Sequence, residues 1–285
     1  MFESGLLAGK RILVTGGGTG LGRSAAERYA ALGAEVVICG RRADVLEAAA
    51  REIAANTGAT IHAMRCDVRD PAAVEAMMAA IWEIGPLHGL MNNAAGNFIA
   101  RTETLSHRAL DAVLGIVLHG TAYCTLAAGR RWIAARDPGV VLSIVTTAAW
   151  TGGPFTAPSA AAKAGVLALT RSLAVEWGPK GIRLNAIAPG LFPTPGAWQR
   201  LYPPEVLTEP QENTVPLRRV GDHAEFANLC AFLMSDGSGY VNGEVVTIDG
   251  GKWMAGVGGS MVRPLYDWGD AEWERFRAHA SGSGS

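Results

Sequence analysis

Arg11-Ile12-Leu13-Val14-Thr15-Gly16-Gly17-Gly18-Thr19-Gly20-Leu21-Gly22 is the stretch that decides the fold. Its first five residues make a short, mostly apolar run of the kind found in strands covered on both faces. Glycines follow at once, and over Leu21–Leu32 the apolar spacing becomes helical. In such a strand–turn–helix, glycines let backbone approach a pyrophosphate, and the helix N-terminus offers N–H groups without partners. Thr15, Gly16, Gly18, Thr19, Gly20, Leu21 and Gly22 are therefore the candidate dinucleotide contacts. A glycine turn also serves plain packing. The clean strand before this one favours the cofactor.

Further along, strand-like runs alternate with longer helical patterns, which predicts repeated βαβ units and a parallel sheet. Predicted strands are Arg11–Thr15, Glu35–Cys39, Thr60–Arg65, Gly89–Asn93, Val140–Thr146, Arg183–Ala188 and Val245–Asp249. Predicted helices are Leu21–Leu32, Ala43–Asn56, one opened by Pro71 near Asp70, Leu110–Ala135 and Ser159–Trp177. The expectation is α/β: a Rossmann-type doubly wound parallel sheet of about seven strands with helices on both faces, in a single domain. That domain should span residues 1–255, and 256–285 should be a C-terminal extension. Its closing Ser281-Gly282-Ser283-Gly284-Ser285 reads as a flexible end. Between Pro189 and Val220 the periodicity dissolves into prolines, the signature of a lid or binding loop.

Bulk properties agree. A length of 285 residues with 49% hydrophobic content supports a sizeable core, and 36 glycines suit many strand-to-helix turns. A net charge of −1 argues against nucleic acid or a polybasic membrane role. Apolar runs look too short for a membrane helix. Cys39, Cys66, Cys124 and Cys230 form no CxxC pair, which points to buried thiols in a reducing cytoplasm. Met1 leads almost directly into a strand without a leader-like segment, so a cytoplasmic location is expected. His62, His88, His107, His223 and His279 show no metal-ligand spacing, and no metal is expected.

The second predicted strand ends in Cys39-Gly40-Arg41-Arg42. An NAD-selective site would place an acid there for the ribose hydroxyls. Arg41 instead offers a planar fork of donors for a 2′-phosphate, which selects NADP(H).

The glycine turn, Asn92-Asn93-Ala94-Ala95-Gly96-Asn97-Phe98 and Pro158-Ser159-Ala160-Ala161-Ala162-Lys163-Ala164-Gly165 together resemble the short-chain dehydrogenase/reductase family. Within it they are most similar to the mitochondrial 2,4-dienoyl-CoA reductases, from about Leu7 to Gly251. Most of the family has a tyrosine four residues before the lysine. Here, as in those reductases, a serine stands there, Ser159. The resemblance implies reduction of an enoyl- or dienoyl-CoA thioester by NADPH, a step of fatty-acid β-oxidation-like metabolism. Charge collects on the thioester oxygen, so the site needs donors aimed at an oxyanion.

Carried over residue by residue, the resemblance makes Asn97 the thioester-oxygen donor and Lys163 the ribose anchor. Asp67 and Val68 would hold the adenine end, with Asn93 and Ala94 beside the cofactor and Pro189, Gly190 and Phe192 covering it. Arg69, Phe98, Ser106 and Arg200 would contact the CoA ester. A homotetramer is also implied, and apolar residues around much of Leu110–Ala135 and Ser159–Trp177 agree with it.

One position departs from those reductases. They carry an active-site tyrosine eleven residues before the serine, where this chain has Ala148. Thr146 sits where the family usually has its catalytic serine, and its hydroxyl could orient a substrate oxygen. Trp150 could offer an indole N–H or wall the substrate site. His119 stands two residues past Val117, where the family has a helix asparagine, and a step of roughly 200° turns it elsewhere. A water fed through Ser159 and Lys163 is the default proton source. Two alternatives remain open at this level. One is a ketone or alcohol oxidoreductase using Thr146, Ser159 and Lys163; the other is a catalytically degraded NADP(H)-binding protein.

Overall fold

Seven parallel strands hydrogen-bond in the order β3-β2-β1-β4-β5-β6-β7. They are β1 (Arg11–Thr15), β2 (Glu35–Gly40), β3 (Ile61–Arg65), β4 (Gly89–Asn92), β5 (Gly139–Ile144), β6 (Ile182–Pro189) and β7 (Val245–Ile248). The computed structural model describes residues 2–194, 210–258, 265 and 267–275. The tail from Ser281 to Ser285 lies outside the described residues.

Side-chain alternation on the strands assigns the two faces. Ile12 and Val14 of β1 point with Val36 and Ile38 of β2 into one apolar layer. It is closed by α1 (Gly20–Ala31), α2 (Ala43–Thr57) and α8 (His223–Met234), through Tyr29, Ile53 and Phe226. Leu13, Val37 and Cys39 point the other way, onto α3 (Pro71–Ile84), α5 (Gly120–Ala135) and α7 (Ala157–Trp177). Trp132 and Trp177 fill that second layer and are buried. This is the doubly wound sheet that the sequence predicts.

Local chemistry sets the helix ends. Asp70 caps α3 by accepting hydrogen bonds from the N–H groups of Ala72 and Ala73, with Pro71 as first helical residue. Gly58, at φ 72°, stops α2 in the left-handed region where glycine costs nothing. Ser106 caps α4 (His107–Leu114) by accepting from the Ala109 N–H at 3.2 Å. The helix predicted as Leu110–Ala135 is not uniform. A π-helical turn, Gly115–His119, separates α4 from α5, and a Cβ on Gly120 would meet Val68 Cγ2 at 2.6 Å. His119 is exposed, 6.1 Å from Tyr123, and Val117 is buried. The sequence expectation about membranes also needs correcting. The segment His107–Ala135 is long and apolar enough to cross one, although half of its most apolar window is buried within the molecule.

Candidate active site

Strand order reverses direction between β1 and β4, and a crevice opens beyond the carboxyl ends of such neighbours. β1 delivers Thr15 and the glycine turn to that edge, and β4 delivers Asn92 and Asn93. The two ends are tied together. Thr15 Oγ1 accepts from the N–H groups of Asn93 and Ala94, each at 3.0 Å. Asn93 Nδ2 donates to the Thr15 carbonyl at 3.0 Å. Thr15 and Asn93 therefore spend their side chains shaping the turn. Gly16 and Gly20 have φ of 68° and 56°, and no acidic side chain competes in the first turn of α1.

Gly22 has no room for a side chain, because a Cβ would lie 2.3 Å from Asn93 Nδ2 and 2.6 Å from the Gly16 carbonyl. Gly22→Ala should push Asn93 off Thr15, destabilise the protein by about 1–3 kcal/mol and weaken dinucleotide binding. Thermal melting and a cofactor titration check this. Wild-type behaviour in both would show that the turn yields.

At the far end of the crevice β2 closes on Gly40, and Arg41 follows, exposed. Asp67 stands after β3. Arg69, assigned by sequence to a different ligand, grips its carboxylate from both sides, with Nε to Oδ1 at 3.0 Å and Nη2 to Oδ2 at 2.5 Å. That hydrogen bond, chiefly, holds the Asp67 carboxyl below its ordinary range, and the charge of Arg41 adds to the effect. A partly exposed pair of this kind contributes only about 0–1 kcal/mol, so a phosphate can draw Arg69 away at little cost. Val68 is buried against Gly120.

The reacting end lies beyond β5 and β6. Lys163 and Ser159, one helical turn apart on α7, are both buried. Lys163 Nζ donates to the carbonyl of Ile144, the last residue of β5. Burial pushes its ammonium down to about 8. Among the described residues no side-chain hydrogen bond engages the Ser159 hydroxyl. Thr146 Oγ1 accepts from the Ala148 N–H at 3.4 Å, within the turn that leads into α6 (Ala148–Thr151). Asn97 Oδ1 accepts from the Phe98 N–H at 2.9 Å. A backbone N–H only donates, so this bond fixes Oδ1 and leaves the amide N–H groups as the donors still available.

Other predicted residues meet different fates. The Ser106 hydroxyl is used as a helix cap. The Phe192 ring turns inward onto Phe226, with centroids 5.8 Å apart, and the Gly190 N–H is spent on the Ile248 carbonyl at 2.9 Å. Arg200 lies outside the described residues. Trp150 packs edge-to-face with Trp253 at 5.8 Å, a contact that sequence reasoning missed because 103 positions separate the rings. Phe155 was missed too. It is 58% exposed, has φ of 60°, and its carbonyl accepts from the Ala100 N–H at 3.0 Å. An apolar cavity of about 80 Å³ between the loop after β6 and Val215–Gly221 is too small for an acyl thioester.

Residues 16–252 match the family described as Enoyl-(Acyl carrier protein) reductase. An uncharacterized oxidoreductase of Caenorhabditis elegans is 46% identical over 274 residues, covering 95% of this chain and 88% of that protein. The chain belongs to the short-chain dehydrogenase/reductase family. A Bacillus subtilis relative named "Probable 2,4-dienoyl-CoA reductase [(2E)-enoyl-CoA-producing]" is 45% identical, covering 86% of this chain and 97% of that one. The crystal structure of a short chain dehydrogenase from Bacillus anthracis superposes with a TM-score of 0.77 at 43% identity, covering 85% and 96% of the two chains.

As a short-chain dehydrogenase/reductase the protein is an oxidoreductase that uses a nicotinamide dinucleotide. Its residues fit that group. Gly16 and Gly20 bend the turn through the left-handed region, and the α1 N-terminus faces the crevice without a carboxylate. The family's tyrosine is absent from the described part of the site. Tyr29 is buried in the core with its hydroxyl 3.4 Å from Met91 Sδ, Tyr123 lies on α5 beside exposed His119, and Tyr240 is fully exposed. Tyr202 and Tyr266 lie outside the described residues.

Proposed function

We propose that the protein reduces an enoyl- or 2,4-dienoyl-CoA-type thioester with NADPH. The observation that carries this reading is the donor set at the reacting end. It combines an oriented Asn97 amide with the buried Lys163 ammonium, while Ser159 stands where most of the family has the phenol that protonates a carbonyl. The printed name of the Bacillus subtilis relative supports the same substrate class.

When bound, the reduced nicotinamide supplies hydride. Asn97 Nδ2 donates to the thioester oxygen, where negative charge collects, and Lys163 adds its positive charge from the ribose side. Desolvation strengthens both. Ser159 passes a proton from a water to the carbon chain. Phe98 and Trp150 wall the acyl group, and Arg69 exchanges Asp67 for a CoA phosphate.

NADPH selectivity follows from Arg41. NADPH should bind about ten- to a hundredfold more tightly than NADH. Titrations of both cofactors into wild type and Arg41→Ala check this, and the variant should lose most of the preference. Equal affinities in the wild type would overturn it. The protein should also assemble as a homotetramer, with Leu126 on α5 and Val175 on α7, the latter 81% exposed, meeting partner copies. Light scattering at micromolar concentration should give four times the chain mass; a monomeric mass contradicts it.

NADPH oxidation measured in parallel on dienoyl-CoA, enoyl-CoA and 3-ketoacyl-CoA tests the substrate class. One of the first two should be turned over fastest. Preference for the 3-ketoacyl thioester would transfer the site to carbonyl reduction through Thr146.

A further inference from the structure

His223 is the first residue of α8, and the site described above does not use it. Both of its ring nitrogens are engaged. Nε2 lies 2.8 Å from the Pro193 carbonyl, and Nδ1 lies 2.8 Å from Ser24 Oγ on α1. A carbonyl only accepts, so Nε2 carries the hydrogen and Nδ1 faces the serine. Ser24 Oγ also lies 3.2 Å from the Gly20 carbonyl, in the first turn of α1. Neutral imidazole accepts the serine hydrogen. Imidazolium donates to the serine oxygen, whose hydrogen then turns to Gly20. Both contacts therefore survive either protonation state, and the arrangement is a fastening.

What it fastens is the start of the loop after β6. Gly190 N–H donates to the Ile248 carbonyl at 2.9 Å, and the Leu191 carbonyl accepts from the Gly221 N–H at 2.9 Å. The Phe192 ring packs on Phe226, and a Cβ on Gly221 would lie 2.3 Å from it. The Pro193 carbonyl is next, held by His223. Thr194 then reaches α1, its methyl 3.3 Å from where a Cβ on Gly20 would stand. The loop thus comes down on the helix end that receives the pyrophosphate, and among the described residues His223 joins loop and helix by side-chain hydrogen bonds.

We propose that His223 is a positioning residue that sets the Leu191–Thr194 loop over the pyrophosphate end of the dinucleotide. The proposal rests on the reading of this loop as the cofactor cover. His223 acts through the Pro193 carbonyl. The helix that carries it has an independent cap, since Glu225 Oε2 accepts from the Asp222 N–H at 2.9 Å. Changing His223 therefore leaves the helix start intact and removes the tether.

The test compares wild type, His223→Ala, His223→Gln and His223→Asn by dinucleotide titration, steady-state kinetics and thermal melting. His223→Ala should raise Kd and KM for the dinucleotide about five- to tenfold, the loss of roughly one hydrogen-bonded link. Its kcat at saturating dinucleotide should change by less than about twofold. Glutamine places an N–H near the position of Nε2 and should recover most of the affinity. Asparagine reaches only the position of Nδ1 and should resemble alanine. Equal loss in the glutamine and alanine variants, or a lowered Tm with unchanged KM, would overturn the proposal. If wild type binds dinucleotide and His223→Ala binds it equally well, only this inference fails. If wild type binds none, the reading of the loop fails with it.

Discussion

Lys163→Ala is expected to lower turnover by about 10²–10³-fold and dinucleotide affinity by roughly tenfold. In the proposed site one ammonium serves both the ribose and the reacting end, and it is buried. Steady-state rates at saturating NADPH, together with a fluorescence titration, separate the two losses. A variant that keeps near wild-type turnover would remove Lys163 from the mechanism.

The same lysine predicts a pH dependence. Burial lowers its folded-state value to about 8 from an ordinary 10.5. Between those two values the unfolded chain binds more protons than the folded one. This group's contribution to stability therefore rises with pH across that window, and below about 8 the cost of burying the ammonium is fully present. Activity runs the other way, because the charged form is the useful one. The ratio kcat/KM for NADPH, which reports the free enzyme, should fall as pH rises through about 8. Lys163→Arg should remove that alkaline limb, since guanidinium stays charged.

Asn97→Ala should cost about 10²–10³ in kcat on a thioester substrate, the usual effect of deleting one well-placed oxyanion donor. Alanine also removes the acceptor of the Phe98 N–H, so Asn97→Asp, which keeps that acceptor and lacks the amide donors, separates loss of the donor from loss of the loop contact. Its specificity is the informative part. Thr146→Ala should matter less for the same substrate, because the Thr146 hydroxyl already accepts the Ala148 N–H and shapes the turn into α6. Rates for both variants with one thioester decide the order. A larger loss in Thr146→Ala would move the chemistry to the carbonyl-reducing arrangement.

Much of this was legible in the chain because βαβ repetition writes itself locally. Each strand is a short apolar run, and each helix start or stop has its own residue, such as Asp70 or Gly58. The glycine turn was legible for the same reason. What escaped were features made by partners distant in sequence. The tight packing of Val68 on Gly120, beside the π-helical turn, joins segments 52 residues apart. Trp150 meets Trp253 only because the chain returns after β7. Asp67 was read as an adenine contact and Arg69 as a CoA-ester contact, but a two-residue spacing in a loop does not announce that they hold each other. His223 carried no motif at all; its role is visible only once Ser24 and Pro193 stand on either side of its ring.

In the proposed function this site reduces a carbon–carbon double bond conjugated to a thioester and does not protonate a carbonyl. NADPH carrying deuterium on the transferring face of its nicotinamide, incubated with a dienoyl-CoA, tests it most directly. Mass spectrometry and NMR of the product should place one deuterium on the acyl chain, with the thioester intact and one double bond fewer. Deuterium found only on the carbinol carbon formed from a 3-ketoacyl-CoA, with the dienoyl-CoA recovered unlabelled, would contradict it.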